Sequence, residues 1–350
     1  MKGGSYDMEE AVLFQRLLEL DPYEQVGEKY QERYGEPLDY AQFLYMMQRP
    51  RLGYTVEQLN EPEAVASQQE LRRQFREKYS GTLTEDGFIR DGRQMELDKL
   101  LRHIDIPTHK HDFVECAFVL SGTCSHLIGE YPYAHKEGSC AIIPAWVEHH
   151  LVPSPDCVCL TVKVRSRSFS RLDIPNLPNF VYPVAIQYGQ DDFVARTILM
   201  MYEQQETGKI YHEQIIELLF RTMMVYIMQN YRDTFQYLVT RAVHNRRTMD
   251  ILNYAFENYQ TITLNALAKH FHFSSAYLSN FIRQQTGETF SHLLKEFKLK
   301  QAARLLAETK LQLNDICGQI GYSDTSQFIS SFKEMYGITP LKYRRKHSQS

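Results

Sequence analysis

Between Ile262 and Arg345 the chain spells out one short pattern twice, and this duplication limits its C-terminal third to a small all-helical fold. In the first copy Leu264, Leu267, Ala268 and Phe271 fall on one face of a short helix. Phe273 and Ser274 make a turn, and Ser274 or Ser275 is placed to cap a second helix over Ser275–Thr286. There Leu278, Phe281 and Ile282 face inward. Ser275, Ala276, Tyr277, Ser279, Asn280, Arg283 and Gln284 are left on the polar side. Gly287 then supplies a left-handed terminator. A long helix follows over Ser291–Glu308. The second copy sets Leu313, Ile316, Cys317 and Ile320 on a short helix, with a break at Gly321 and a cap from Ser323 or Asp324. Phe328, Phe332 and Tyr336 recur every four residues along the next helix, with Thr325, Gln327, Ser330 and Lys333 opposite them. Gly337 and Pro340 end it. A short helix, a tight turn and a second helix with one polar face form the helix-turn-helix pattern.

The formal charge of −4 argues against a nucleic-acid partner until it is divided along the chain. From Thr248 to Ser350 twelve Lys and Arg stand against eight Asp and Glu, a net of +4, so the remainder carries −8. Opposite signs at the two ends suit different partners.

The residues from Leu267 to Leu306 and from Leu313 to Arg345 resemble the DNA-binding domain of the AraC/XylS transcription regulators. The most specific stretches are Ile316-Cys317, Ile320-Gly321-Tyr322-Ser323-Asp324, Phe328, Phe332-Lys333, Gly337-Ile338-Thr339-Pro340 and Tyr343-Arg344. His272, Ile282, Lys298, Cys317 and Ser331 depart from the residues usual there, which are Gly, Phe, Arg, Ala and an aliphatic. The resemblance implies double-stranded promoter DNA as the partner, with Arg283 and Lys333 on the backbone and Tyr277, Asn280, Thr325 and Gln327 at base edges. It also implies an unidentified small-molecule effector, for instance a sugar, and RNA polymerase as a further partner if the protein activates.

The other 247 residues read as three regions. Residues 1–95 follow a helical pattern punctuated by Pro22, Pro37, Pro50 and Pro62, a helical extension without evident chemistry. Residues 96–190 form a β-rich domain: runs such as CAFVLSG, SCAIIP and CVCLTVKVR alternate with turn signals as in an antiparallel sandwich or small barrel. The Pro- and Asn-rich stretch over 166–190 reads as a connecting loop. Residues 191–247 are helical and then polar. Glu213–Tyr231 is apolar on nearly every side, so it is either core or the interface of a homodimer. Six cysteines in apolar contexts, an acidic N-terminus and no apolar run of about 18 residues predict reduced thiols, a cytoplasmic location and no membrane span.

Within the β-rich domain, His109-Lys-His111 and Glu115, with Gly122 seven residues on, resemble the first cupin motif. Gly138, Pro144 and His149 match the second, with Trp146 in place of its usual second glycine. Alternation puts His109, His111 and Glu115 on one strand face, provided no bulge intervenes. Three imidazoles and a carboxylate suit a divalent transition metal; they equally suit hydrogen bonds to a polar effector or to one another. Tyr131, Tyr133, Trp146 and His150 are candidates for the mouth of such an effector pocket.

The fold class expected is therefore α+β and multidomain. A cupin-like β-barrel sensor with flanking helices comes first, then an all-α domain of two helix-turn-helix units on a linker helix, over 248–346. The function expected is a ligand-responsive, sequence-specific DNA-binding regulator and not an enzyme. The alternative is a metal-dependent cupin enzyme fused to a DNA-binding domain.

Overall fold

A computed structural model describes residues 8–48, 54–79, 82–128, 131–170, 172, 183–238 and 246–347. They form two compact units, one running to Phe235 and the other beginning at Gln236.

The first unit opens with helices α1 (Met8–Leu18), α2 (Pro22–Tyr34), α3 (Tyr40–Gln48) and α4 (Pro62–Tyr79). Asp21 starts α2 through a capping box: its carboxylate accepts from the Tyr23 and Glu24 amides, and Glu24 accepts from the Asp21 amide. Leu38, Ala41, Met46, Leu59 and Ala64 give these helices a core of their own. Strands β1 (Met95–Lys99), β2 (Val114–Ser121), β3 (Thr123–Ile128), β4 (Tyr131–Lys136), β5 (Ser139–Ile143), β6 (His149–Pro153), β7 (Val158–Val164) and β8 (Val184–Gln187) follow. They pair antiparallel in two sheets, one running β8-β5-β2-β7-β1 and the other β6-β3-β4.

The chain crosses from the larger sheet to the smaller at Gly122. Its φ is +67°, and a Cβ there would lie 2.8 Å from the Asp156 carbonyl oxygen, so only glycine fits. The inner faces share a core in which Ala117, Val119, Ala141, Ile143, Cys157 and Cys159 of the larger sheet meet Cys124 and Leu151 of the smaller.

Two expectations are corrected here. No continuous ladder among the described residues closes the sheets into a barrel; a single bridge, His109 to His149, stands where closure would require a strand. The stretch over 166–190 is not all loop. Residues 173–182 lie outside the described residues, but Val184 and Ile186 are buried in β8, opposite Ile142 and Cys140 of β5. Their apolar alternation is enough to add a strand.

Helices α5 (Asp192–Thr207) and α6 (His212–Asn230) complete the unit. Gln205 of α5 accepts from the Leu97 amide at 2.8 Å and donates to its carbonyl at 2.6 Å, which blocks part of the free edge of β1. On α6, Ile216, Phe220, Met223, Met224 and Ile227 are buried, while Ile215, Leu218 and Val225 stay exposed. Its apolar character is therefore partly core and partly open surface.

The second unit contains α7 (Arg246–Glu257), α8 (Leu264–His270), α9 (Ser275–Thr286), α10 (Phe290–Glu308), α11 (Leu313–Gln319), α12 (Thr325–Tyr336) and α13 (Pro340–His347). Ser274 caps α9 and Asp324 caps α12, while Gly287 and Gly337 end them at φ +79° and +71°. Leu278, Ile282, Phe328 and Phe332 are completely buried, as their spacing requires. Among the described residues no helix is long and apolar enough to cross a membrane.

Candidate DNA interface and candidate effector site

In the second unit the two copies superpose step for step in their hydrogen bonds. The Phe273 amide donates to Ala268 O and the Tyr322 amide to Cys317 O, at 2.8 and 3.0 Å, closing the same turn in each. Ser275 Oγ bonds Asn265 Oδ1 at 2.6 Å, and Thr325 Oγ1 bonds Asn314 Oδ1 at 3.1 Å. Both hydroxyls at the start of the second helices are thus engaged within their own unit, by two asparagines that the sequence reading passed over. Their equal placement, one residue into each first helix, was the available signal.

Ala276, Tyr277, Asn280, Arg283, Gln327, Ser330 and Lys333 are exposed, while Ser279 is half-buried. Each second helix therefore presents a polar face that nothing in its unit covers. Phe281 is only half-buried. It stacks with Tyr277, which in turn lies 4.8 Å from Phe273, and the Arg247 guanidinium sits 4.5 Å above the Phe273 ring. Its expected inward position is corrected accordingly: the ring supports an aromatic ledge at the entry of α9.

In the first unit the cupin-like residues meet. His109 and His149 exchange backbone hydrogen bonds at 3.0 and 2.8 Å. Glu115 lies on β2 with Ala117 and Val119, whose side chains belong to the core between the sheets. Oxygen and nitrogen atoms of His109, Glu115 and His149 lie within 4.8 Å of one another. His149 Nε2 is 3.3 Å and His111 Nε2 3.6 Å from Glu115 Oε2.

The tautomers follow from the carbonyls. Nδ1 of His109, His111 and His149 faces the carbonyl oxygens of Pro107, Phe113 and Val147 at 2.9, 2.7 and 3.1 Å. A carbonyl only accepts, so each Nδ1 carries a proton. Burial, reinforced by His149, pushes His109 down to about 3, and burial lowers His111 as well. For Glu115 burial acts upward, but the facing rings of His111 and His149 outweigh it and hold the carboxyl well below its usual range. Glu115 is a buried carboxylate facing His149 Nε2, and His111 Nε2 has no hydrogen-bond partner among the described residues. The atoms grouped closely enough to share a divalent cation are one imidazole nitrogen each from His109 and His149 and one Glu115 oxygen, a donor set that fits such an ion; His111 is not among them.

The surroundings are mixed. Trp146 holds φ +68°, unusual for a bulky residue, and its amide donates to His111 O at 2.6 Å. Tyr133 of β4 is half-buried, and the side chain of Tyr131 lies outside the described residues. His150 alternates with His149 on β6 and pairs with Asp105 at 2.8 Å, so its expected place at the pocket mouth is corrected. Sequence reasoning missed His126 and His135, buried on the smaller sheet with Nδ1 of the first 3.1 Å from Nε2 of the second.

A helix-turn-helix domain family matches residues 267–346. The HTH-type transcriptional activators RhaS of Escherichia coli and of Shigella sonnei are each 24% identical over 272 residues, covering 74% of this chain and 95% of their own length. The similarity therefore extends through both units and is not confined to the paired helices. These similarities support the resemblance to the AraC/XylS transcription regulators. Among solved structures, the C-terminal domain of the response regulator yesN from Fusobacterium nucleatum is 33% identical, with 29% of this chain and 99% of that one covered and a TM-score of 0.28. Unsaturated fatty acid-bound ToxT from Vibrio cholerae is 13% identical, with 73% and 97% covered and a TM-score of 0.30.

Two departures from the residues usual in AraC/XylS regulators gain a physical meaning. His272 stands where glycine is usual and still takes the left-handed turn, at φ +57°. Lys298 replaces arginine, and its ammonium donates to the carbonyls of Gly321 at 2.9 Å and Gln260 at 3.3 Å. It ties the turn of the second copy to the segment that precedes the first.

Proposed function

We propose that this AraC/XylS regulator binds promoter DNA through the outward faces of α9 and α12, and that an effector read at His109, His111, Glu115 and His149 governs the outcome. It acts as a regulator and not as an enzyme. The observation that carries the reading is the exposed polar face on two helices that are each side-chain-capped at the start and glycine-terminated at the end, with Arg283 and Lys333 at matching positions. The two faces enter successive major-groove segments about 34 Å apart. Gel shift across a salt series tests the assignment. Lys333→Ala should weaken all sequences and flatten the salt slope by about one ion. Gln327→Ala should relax preference at one or two base pairs, costing about 1–3 kcal/mol there. Equal weakening of every sequence by both variants would remove Gln327 from base readout.

The effector site is built around a divalent transition metal held by His109, Glu115 and His149. When bound, the metal supplies a Lewis-acid anchor for an oxygen of the effector. Glu115 neutralises part of its charge, and the carbonyls behind each Nδ1 fix the rings. Trp146 belongs to the approach, and a sugar is one effector of suitable chemistry. Elemental analysis of the purified protein should give about one metal per chain, lost in His149→Ala. A metal-free wild type after growth and purification without chelator would sink this part.

The regulator works as a C2 homodimer through α6. Tyr211, Ile215, Leu218, Thr222 and Val225 follow each other at alternating steps of four and three, the spacing of a helix–helix seam, and all five are exposed. If the regulator activates, RNA polymerase is its further partner.

A further inference from the structure

The buried pair His126 and His135 has no part in the reading above, and three features set it apart. The first is register. Across β3 and β6, His126 stands opposite Leu151 and Ile128 opposite His149, so His126 and His149 project from the same face. Across β3 and β4, Cys124 stands opposite His135, which places both histidines on that face too. The second is proximity. The rings of His126 and His149 are 5.5 Å apart and nearly perpendicular, at 82°. The third is an unmet need. His126 is fully buried, its Nδ1 is paired with His135 at 3.1 Å, and its Nε2 has no hydrogen-bond partner among the described residues. Leu151 and Cys124 of the same face belong to the apolar core, while Tyr133 stands opposite His126.

We propose that His126, oriented by His135, is the second anchor of the effector: a small, hydroxyl-bearing molecule whose adjacent oxygens reach the metal beside His149 on one side and His126 Nε2 on the other. The inference rests on the metal reading given above. The hydroxyl requirement comes from the proton shared by the pair. If His135 Nε2–H donates to His126 Nδ1, then His126 Nε2 carries a proton and donates outward. If His126 Nδ1–H donates to His135, then Nε2 accepts. A hydroxyl satisfies either arrangement, because it both donates and accepts, whereas a bare carboxylate satisfies only the first. Two vicinal oxygens, as in an α-hydroxy acid or a diol, also close a chelate on a metal that has open positions.

The test uses full-length protein loaded with Co(II), whose visible spectrum reports its ligands. Glycolate is the α-hydroxy acid probe and acetate its hydroxyl-free control. In the wild type glycolate should shift the cobalt bands saturably, at least tenfold more tightly than acetate. His126→Phe should keep one Co(II) per chain yet lose that tenfold preference, and His126→Gln, which retains a donor and an acceptor, should recover most of it. His135→Phe should weaken glycolate without abolishing the preference, as befits a positioning residue. Should the Phe variant not fold, His126→Leu carries the same comparison. Wild-type glycolate preference in a folded His126→Phe or His126→Leu protein overturns the proposal, and so does loss of Co(II) in that variant, which would make His126 a metal ligand. A wild type that binds no Co(II) overturns the metal reading itself, an outcome distinct from a cobalt protein that ignores glycolate.

Discussion

Gly321 and His272 occupy the same turn of the two helix-turn-helix copies, and the structure predicts opposite responses to substitution. At Gly321 φ is +72°, and a Cβ would stand 2.0 Å from the Gln260 carbonyl oxygen and 2.8 Å from its carbon. Gly321→Ala therefore meets two penalties. The left-handed conformation costs a residue with a Cβ about 1–2 kcal/mol. Forcing backbone apart in a packed site adds about 1–3 kcal/mol. The stiffer unfolded chain returns only about 0.4–1 kcal/mol, which leaves a net loss of roughly 2–4 kcal/mol. The displaced carbonyls are also the two that Lys298 holds, so the loss falls on the joint between the copies. At His272 the chain already bears the left-handed cost, at φ +57°. His272→Gly should stabilise the unit by roughly 0.5–1 kcal/mol once the freer unfolded state is subtracted. The chain's one tryptophan is Trp146, in the other unit, so its fluorescence would miss both effects. Hydrogen exchange of amides in α10, α11 and α12 of the full chain reads them directly. Unchanged protection in Gly321→Ala, or weaker protection in His272→Gly, would refute the reasoning.

Leu218→Glu, at an exposed position of α6, should convert the dimer to monomer in light scattering at micromolar concentration while leaving the fold intact; a dimer that persists would move the interface off this helix. Acid should weaken the first unit. His135 is lowered to about 4 by burial, so between about pH 6.5 and 4 the unfolded chain takes up a proton that the folded one refuses, and stability present above that window is lost as the pH falls through it. For His135 alone the loss is at most about 3 kcal/mol, and urea melts of His135→Phe should show a flatter dependence across the window; an unchanged slope would mean that the imidazole is not buried in solution.

How much of this was legible in the sequence depends on the range over which each feature is determined. The C-terminal copies were legible because caps, terminating glycines and apolar spacing are local, and Ser274, Asp324, Gly287 and Gly337 each act within a turn of their own position. The meeting of His109, His111, Glu115 and His149 was legible in part: alternation relates the first three, but His149 arrives from another strand and needs a second motif to place it. His126 and His135 were not legible. Alternation groups Cys124 with His126 and Ile128, yet whether that face turns inward is decided by pairing with β6 and by the sheet opposite. Barrel closure was hidden for the same reason, since it turns on the single bridge at His109 and His149 and not on the composition of any strand. The short β8 was masked by its Pro-rich neighbourhood, although Val184 and Ile186 carried the alternation.

The duplication in the second unit also bears on what the regulator can recognise. Selection for the scaffold and selection for the surface have left different marks on the copies. Leu278 and Ile282 on α9 answer to Phe328 and Phe332 on α12, all buried, and the caps and terminating glycines recur. The outward residues diverge: Tyr277 matches Gln327, Asn280 matches Ser330, and only Arg283 and Lys333 agree in charge. A cation kept at that position suits contact with phosphate, which is the same in any sequence. Gln and Asn reach base edges in ways that Tyr and Ser do not repeat, so the two faces ask for different base pairs. If α9 and α12 both read bases, the site for one subunit should be two unlike half-sites in fixed order, read with a direction along the duplex.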